Sequence, residues 1–282
     1  MEVSSPGRIC LFGEHQDYLG LPVVAMAISL RAKIVGQKRE DQQVIIHKPD
    51  ISESEKFSLD GLSYTKQRDY FKSGINICIR EGLVFSNGFE CEITSKIPIQ
   101  AGVGSSSAVM VNWIHFLTQM ADTPVIWNEQ KIGELAYRAE VLEFNEPGGM
   151  MDQYTASMGN MIYLISEPTI SIKSLNPNLG SFVLGDSCEP KDTMGILQRC
   201  RDARVKIIQK LKEKTPNFNI HNSEDVDLSL LNEEEKNIFR GTIKNRNILR
   251  KVLPELNREA PKPDLIGARL IEHHAVLRDV LK

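Results

Sequence analysis

Pro98-Ile99-Gln100-Ala101-Gly102-Val103-Gly104-Ser105-Ser106-Ser107-Ala108 stands between two kinds of sequence. Before it, residues 89–97 alternate apolar and polar side chains as a half-buried strand does. After it, residues 108–120 form a strongly apolar helical segment. Gly102 and Gly104 let the backbone turn sharply and come close to a ligand. The N–H groups of residues 104–107 open the helix without intrahelical partners, and that end is positively polarised and suited to phosphate oxygens. Serine hydroxyls there can reach phosphate or a Mg²⁺ that phosphate holds. No Gly-Lys-Ser or Gly-Lys-Thr comes after it, so this is not a Walker A loop. Serines at a strand-to-helix junction also serve as plain N-caps, and both readings stay open at this point.

Two further stretches carry chemistry. Near the N-terminus, Ser5-Pro6-Gly7-Arg8-Ile9-Cys10-Leu11-Phe12-Gly13-Glu14-His15-Gln16-Asp17-Tyr18-Leu19-Gly20 places charged groups directly after an apolar strand. Glu14, His15 and Asp17 offer the acceptors and the donor that read sugar hydroxyls, or they decorate a surface turn. Arg8 sits inside the apolar strand, where a guanidinium needs a carboxylate partner. The candidate is Asp152 in Pro147-Gly148-Gly149-Met150-Met151-Asp152-Gln153-Tyr154, which alone would read as a helix N-cap.

The 282 residues are enough for one large domain or two medium ones. A net charge of −3 leaves no electrostatic footprint for nucleic acid. No apolar run is long enough to span a membrane, and the N-terminus lacks a signal-peptide pattern, so a cytoplasmic protein is expected. Cys10, Cys78, Cys91, Cys188 and Cys200 are scattered without a CxxC pair, which argues against a disulfide framework or a zinc site. His273 and His274 are adjacent and do not share a helix face. Strands are expected over 23–35, 43–47, 161–165 and 180–184, and helices over 69–81, 108–120, 128–144, 193–214, 236–252 and 266–281. A polar loop is expected over 215–235, and a domain boundary near residue 160.

Taken together, the PGRxxLxGEHxDY run, the glycine-serine turn and the GGMMDQ run resemble the GHMP kinase superfamily, and within it the galactokinases. Asp69-Tyr70-Phe71-Lys72-Ser73-Gly74 is similar to the family's helix near the nucleotide, and Glu272-His273-His274-Ala275-Val276-Leu277-Arg278 to its late helix. The resemblance spans nearly the whole chain in the family's motif order. It implies an α+β fold, with a domain over 1–160 that resembles ribosomal protein S5 domain 2 and a ferredoxin-like domain over 161–282. It implies ATP-dependent phosphorylation of the anomeric hydroxyl of galactose or a related sugar. Asp152 would be the catalytic carboxylate and Arg8 its partner, stabilising charge on the transferred phosphoryl group. Glu14, His15, Asp17 and Asp152 would bind the sugar. The segment Gly102, Val103, Gly104, Ser105, Ser106, Ser107 and Ala108 would wrap the ATP phosphates, and Ser106 and Glu140 would hold Mg²⁺. The partners implied are a small sugar and ATP.

The sequence departs from the resemblance in places. Gln16 replaces the usual threonine of the galactokinase GEHTDY run. The GVGS turn is closer to the style of mevalonate kinases, although those usually carry lysine where Arg8 stands and lack the MDQ tripeptide. The family continues with a further strand-helix unit and a third glycine-rich motif after the late helix, and this chain stops at Lys282. The expectation is an incomplete C-terminal domain, with catalysis by this polypeptide in doubt. The alternatives are a mevalonate-type kinase and a non-catalytic sensor that binds sugar and ATP.

Overall fold

The computed structural model describes residues 1–185, 193–215, 217–223 and 226–281. Cys188 and the last residue, Lys282, lie outside them. The chain divides into two compact units that interleave in sequence. The first comprises Met1–Ile9, Ala27–Glu146 and Asp152–Gly159, and the second Cys10–Met26, Pro147–Met151 and Asn160–Lys282.

The first unit holds most of β1 (Glu2–Phe12) and β2 (Val23–Lys38), together with β3 (Gln43–Lys48), β4 (Glu53–Ser58) and β5 (Phe89–Ser95). They run in the order β4-β3-β5-β2, with β1 beside β2. The β3–β5 pair is parallel, whereas β3–β4 and β2–β5 are antiparallel. Alternation along β3 buries Val44 and Ile46 and leaves His47 exposed. The helices α1 (Tyr70–Arg80), α2 (Ser105–Met120) and α3 (Glu129–Tyr137) pack on one another. Their apolar faces join Ile34, Val44, Ile46, Phe89 and Ile93 of the strands in one core around Trp113 and Phe116. Trp113 is completely buried, and its Nε1 donates to the Phe71 carbonyl at 2.9 Å, so the indole is satisfied in the apolar interior.

In the second unit, residues 23–26 of β2 pair antiparallel with β6 (Met161–Ile165), which pairs antiparallel with β7 (Ser171–Leu175). Beyond them, among the described residues, come the helices α5 (Thr193–Lys214), α6 (Glu233–Leu256) and α7 (Pro263–Asp279). Leu19 and Leu21 share a core with Ile207, Leu211, Phe218, Leu231 and Phe239. A capping box between Asn232 and Glu235 fixes the start of α6. The remaining helix, α4 (Met151–Met158), begins in the last residue of the 147–151 segment.

Several sequence expectations need correction. Residues 180–184 form no strand. The strand of this region is β7, and beyond it Asn176-Pro177 and Gly180, at φ +72°, interrupt the extended run. The helix expected over 128–144 stops being α-helical at Tyr137 and continues as a π-helical turn over Arg138–Leu142. Helix α2 starts at Ser105, three residues earlier than its apolar run. Helix α6 extends beyond 236–252 at both ends. Strand β4 was not expected, because Glu53-Ser54-Glu55-Lys56-Phe57-Ser58 is mostly polar; it is an edge strand whose Glu53 and Glu55 pair with Lys48.

Candidate active site

In the first unit, β1 delivers Arg8 and the glycine-serine turn is built onto it. The Arg8 N–H donates to the Val103 carbonyl at 2.9 Å, and the Arg8 Nη1 to the Gly102 carbonyl at 2.5 Å. Val103 anchors the turn from below in a small apolar cluster with Ala32, Ile97 and Ala108. Gly104 is left-handed, at φ +73°, and a Cβ there would lie 3.1 Å from the Arg8 Cγ. The turn therefore folds over the arginine stem at a place where no side chain fits without a shift.

The guanidinium also meets Asp152 in a two-point fork. Its Nε donates to Oδ1 at 2.7 Å and its Nη2 to Oδ2. Arg8 is 7% exposed and the Asp152 side chain 27%, so this is a partly desolvated charge pair with good geometry. Asp152 is the second residue of α4 and not its N-cap. Arg8, Asp152 and the turn thus form one constellation, joined through the guanidinium.

The serines are not caps. Gly104 is the N-cap of α2 and no side chain closes that helix end. Instead the Ser106 Oγ donates to the Glu140 Oε1 at 2.6 Å. Gln153 Nε2 donates to the other carboxylate oxygen, Oε2, at 2.7 Å and to the Ser107 Oγ at 3.2 Å. Glu140 stands in the π-helical turn, an arrangement frequent at functional sites. Burial pushes its carboxyl up, against the hydrogen bonds of Ser106, Gln153 and Ser107, while the nearby charge of Asp152 pushes the same way as burial. The Gln153 Oε1 is buried and has no protein partner. A hydroxyl, a carboxylate and an orphaned amide oxygen in one cluster are the oxygen donors a hard divalent cation takes, so these residues fit Mg²⁺. The uncapped, positively polarised start of α2 likewise fits phosphate.

The residues 14–17 belong to the second unit. Asp17 is buried, and its Oδ2 accepts the Met151 N–H at 3.1 Å. Gly149 makes this approach possible: a Cβ there would lie 1.8 Å from the same oxygen. The Glu14 carboxylate is 3.6 Å from the His15 Nε2, and His15 is held at φ +60°. The Gly13 N–H donates to His273 of α7, and Arg204 of α5 donates to the His15 carbonyl. Gln153, Arg204 and His273 had no role in the sequence expectations. Gln153 lies inside the GGMMDQ run and His273 inside the Glu272–Arg278 run similar to the family's late helix, yet neither run assigns them a task. Nothing in its sequence surroundings marked Arg204.

Residues 69–160 match the GHMP kinases N terminal domain. The chain superposes on a crystal structure of Lactococcus lactis galactokinase complexed with galactose at a TM-score of 0.78, with 19% identity, over 99% of this chain and 75% of that one. The protein therefore has the GHMP kinase fold and carries a GHMP kinase N-terminal domain. More particularly, residues 1–38 match a galactokinase galactose-binding signature. Among curated relatives, the galactokinase of Pyrococcus furiosus is 33% identical over 168 residues, 57% of this chain and 46% of the relative. The mevalonate kinase of Pyrococcus abyssi is 26% identical over 285 residues, 95% of this chain and 84% of the relative. Both relatives are phosphotransferases with alcohol acceptors, and GHMP kinases use ATP as the donor. No helix among the described residues is long and apolar enough to cross a membrane.

Proposed function

We propose that the protein phosphorylates the anomeric hydroxyl of galactose or a closely related sugar at the expense of ATP. The observation that carries this reading is the Arg8 guanidinium, which forks onto Asp152 while its third nitrogen grips the Gly102 carbonyl. An acid that orients an alcohol and a turn that cradles phosphate are thereby tied to one cation. Phosphoryl transfer depends chiefly on positioning and charge neutralisation, and this arrangement supplies both. Asp152 accepts a hydrogen bond from the acceptor hydroxyl, aims its oxygen, and takes the proton late. The N–H groups at the start of α2 bind phosphate oxygens. Ser106 and Glu140 would hold Mg²⁺, which when bound neutralises phosphate charge. Gln153 keeps the Glu140 carboxylate turned toward Ser106. Glu14, His15 and Asp17 read the sugar, a role that the galactose-binding signature over 1–38 supports.

A mevalonate-type acceptor is the second reading. It is favoured by the near full-length alignment with the Pyrococcus abyssi mevalonate kinase. The forked Arg8–Asp152 contact weighs against it, because a lysine in place of Arg8 has no planar fork to match a carboxylate. ADP release measured with galactose, arabinose, galacturonate and mevalonate separates the two. The sugar reading expects Mg²⁺-dependent turnover with a sugar and a roughly thousandfold fall in Asp152→Asn. Turnover with mevalonate alone overturns it. Sugar binding by calorimetry without any ADP formation would make the chain a sensor.

A further inference from the structure

The loop that carries Glu14 and His15 is held by its main chain, from both sides of Glu14, by two buried side chains distant in sequence. On one side, His273 of α7 is 4% exposed and accepts the Gly13 N–H at Nε2 across 3.0 Å. Its ring also meets Phe12 edge-on, with centroids 5.9 Å apart. On the other side, Arg204 of α5 is 3% exposed and donates through Nη1 to the His15 carbonyl. His15 itself sits at φ +60°, a conformation that residues other than glycine keep only when their surroundings impose it.

Arg204 does this at a cost to stability. Its Nη2 is buried with no protein partner, and a buried guanidinium bonded to a neutral carbonyl is poorly compensated for its lost hydration. Nor is His273 a general packing residue: an apolar side chain would fill the same place beside Phe12 but leave the buried Gly13 N–H unsatisfied. Both residues bond the backbone and leave the recognition side chains to another task.

We propose that His273 and Arg204 are positioning residues that lock the Gly13–His15 backbone so that Glu14 and His15 present their side chains to the acceptor alcohol in a single orientation. This rests on the reading that residues 14–17 bind the acceptor. The lock requires a neutral imidazole with its proton on Nδ1, since Nε2 must accept. Burial holds the ring's pKa down at about 4; Glu14 in the loop raises it and His274 on the same helix lowers it further. At neutral pH the acceptor lone pair is therefore in place.

Hydrogen exchange at the Gly13 amide reads the lock directly, without any substrate. In His273→Leu that amide exchanges about tenfold faster, the loss of one net hydrogen bond, while core amides of α2 are unchanged. His273→Gln, whose side-chain oxygen can accept, restores much of the protection. In steady-state kinetics with galactose, the Leu variant raises the acceptor KM by about tenfold and moves the ATP KM by less than about twofold. Arg204→Met gives the same split from the other side of Glu14 and serves if His273→Leu fails to fold; Arg204→Lys recovers part of it. Unchanged Gly13 exchange in a folded His273→Leu overturns the lock, whatever the enzyme phosphorylates. Faster exchange with an unmoved acceptor KM overturns the positioning role. A wild-type protein that turns over no acceptor removes the kinase reading instead and leaves the exchange measurement to judge the lock alone.

Discussion

Around Asp152, side chain chiefly holds side chain: a guanidinium on a carboxylate, with one nitrogen left for the Gly102 carbonyl, and a hydroxyl and an amide on a second carboxylate. Around Glu14, side chain holds main chain: an imidazole on the Gly13 N–H and a guanidinium on the His15 carbonyl. The two arrangements solve different problems. The first constellation neutralises and orients charge, so its own charged groups must be fixed against one another. The second shapes a recognition loop, so its framework is fixed from behind. Substitutions should therefore damage the two regions in different ways: removing a charge in the first strands its partner, whereas removing a brace in the second loosens a segment.

The largest effect is expected at Arg8. Arg8→Met leaves Asp152 without its fork and the Gly102 carbonyl without its donor, and should destabilise the fold by about 3 kcal/mol as well as abolish ADP formation. Urea unfolding beside the kinetic assay measures both, and a variant as stable as wild type would show that the pair is not a buried charge interaction. Next in size is acid unfolding through His273. The folded ring has a pKa of about 4 against 6.5 for the free side chain. The unfolded chain takes up the proton first, so stability falls as pH drops from about 6.5 to about 4 and is flat above that window. The full loss is about 3 kcal/mol. Urea midpoints at pH 7 and pH 4.5 should diverge less in His273→Gln than in wild type; equal divergence would show that other groups carry the acid sensitivity. The smallest is Gly149→Ala, at about 2 kcal/mol, since the new methyl must push the Asp17 carboxylate off the Met151 N–H. Its acceptor KM should rise while the ATP KM stays put. A change in the ATP KM instead would erase the contrast between the regions.

The same contrast explains what could be read from the sequence. The turn at 102–108 and the pairing of Arg8 with Asp152 were legible because side chains that hold each other advertise their chemistry: an arginine in an apolar strand demands a partner, and a carboxylate behind a glycine turn can supply one. The start of α2 at Ser105 agrees with an open helix end over residues 104–107; the apolar run alone begins three residues later, because Ser105, Ser106 and Ser107 are helical despite their polarity. The braces at Arg204 and His273 were not legible. A residue that bonds backbone leaves no complementary side chain to pair with it in the sequence, and an Arg in a basic helix looks like a solvated one. Strand β4 was hidden for a related reason, because an edge strand needs few apolar residues. Gln153 fell between these cases, quoted as part of a run yet given no task.

The widened turn over Arg138–Leu142 has a structural cost and a use. Its hydrogen bonds span five residues, from the Glu143 N–H to the Arg138 carbonyl and from the Glu146 N–H to the Val141 carbonyl. The Ala139 carbonyl, beside Glu140, accepts the Ser73 hydroxyl. That slack aims Glu140 at Ser106. Trimming one residue to restore regular winding would rotate everything beyond the cut by about 100° about the axis, carrying Glu140 out of step with either the hydroxyl it accepts from or the rest of the chain beyond it. The register of this segment is thus part of the site: homologous proteins that shorten it would need to find their second carboxylate elsewhere.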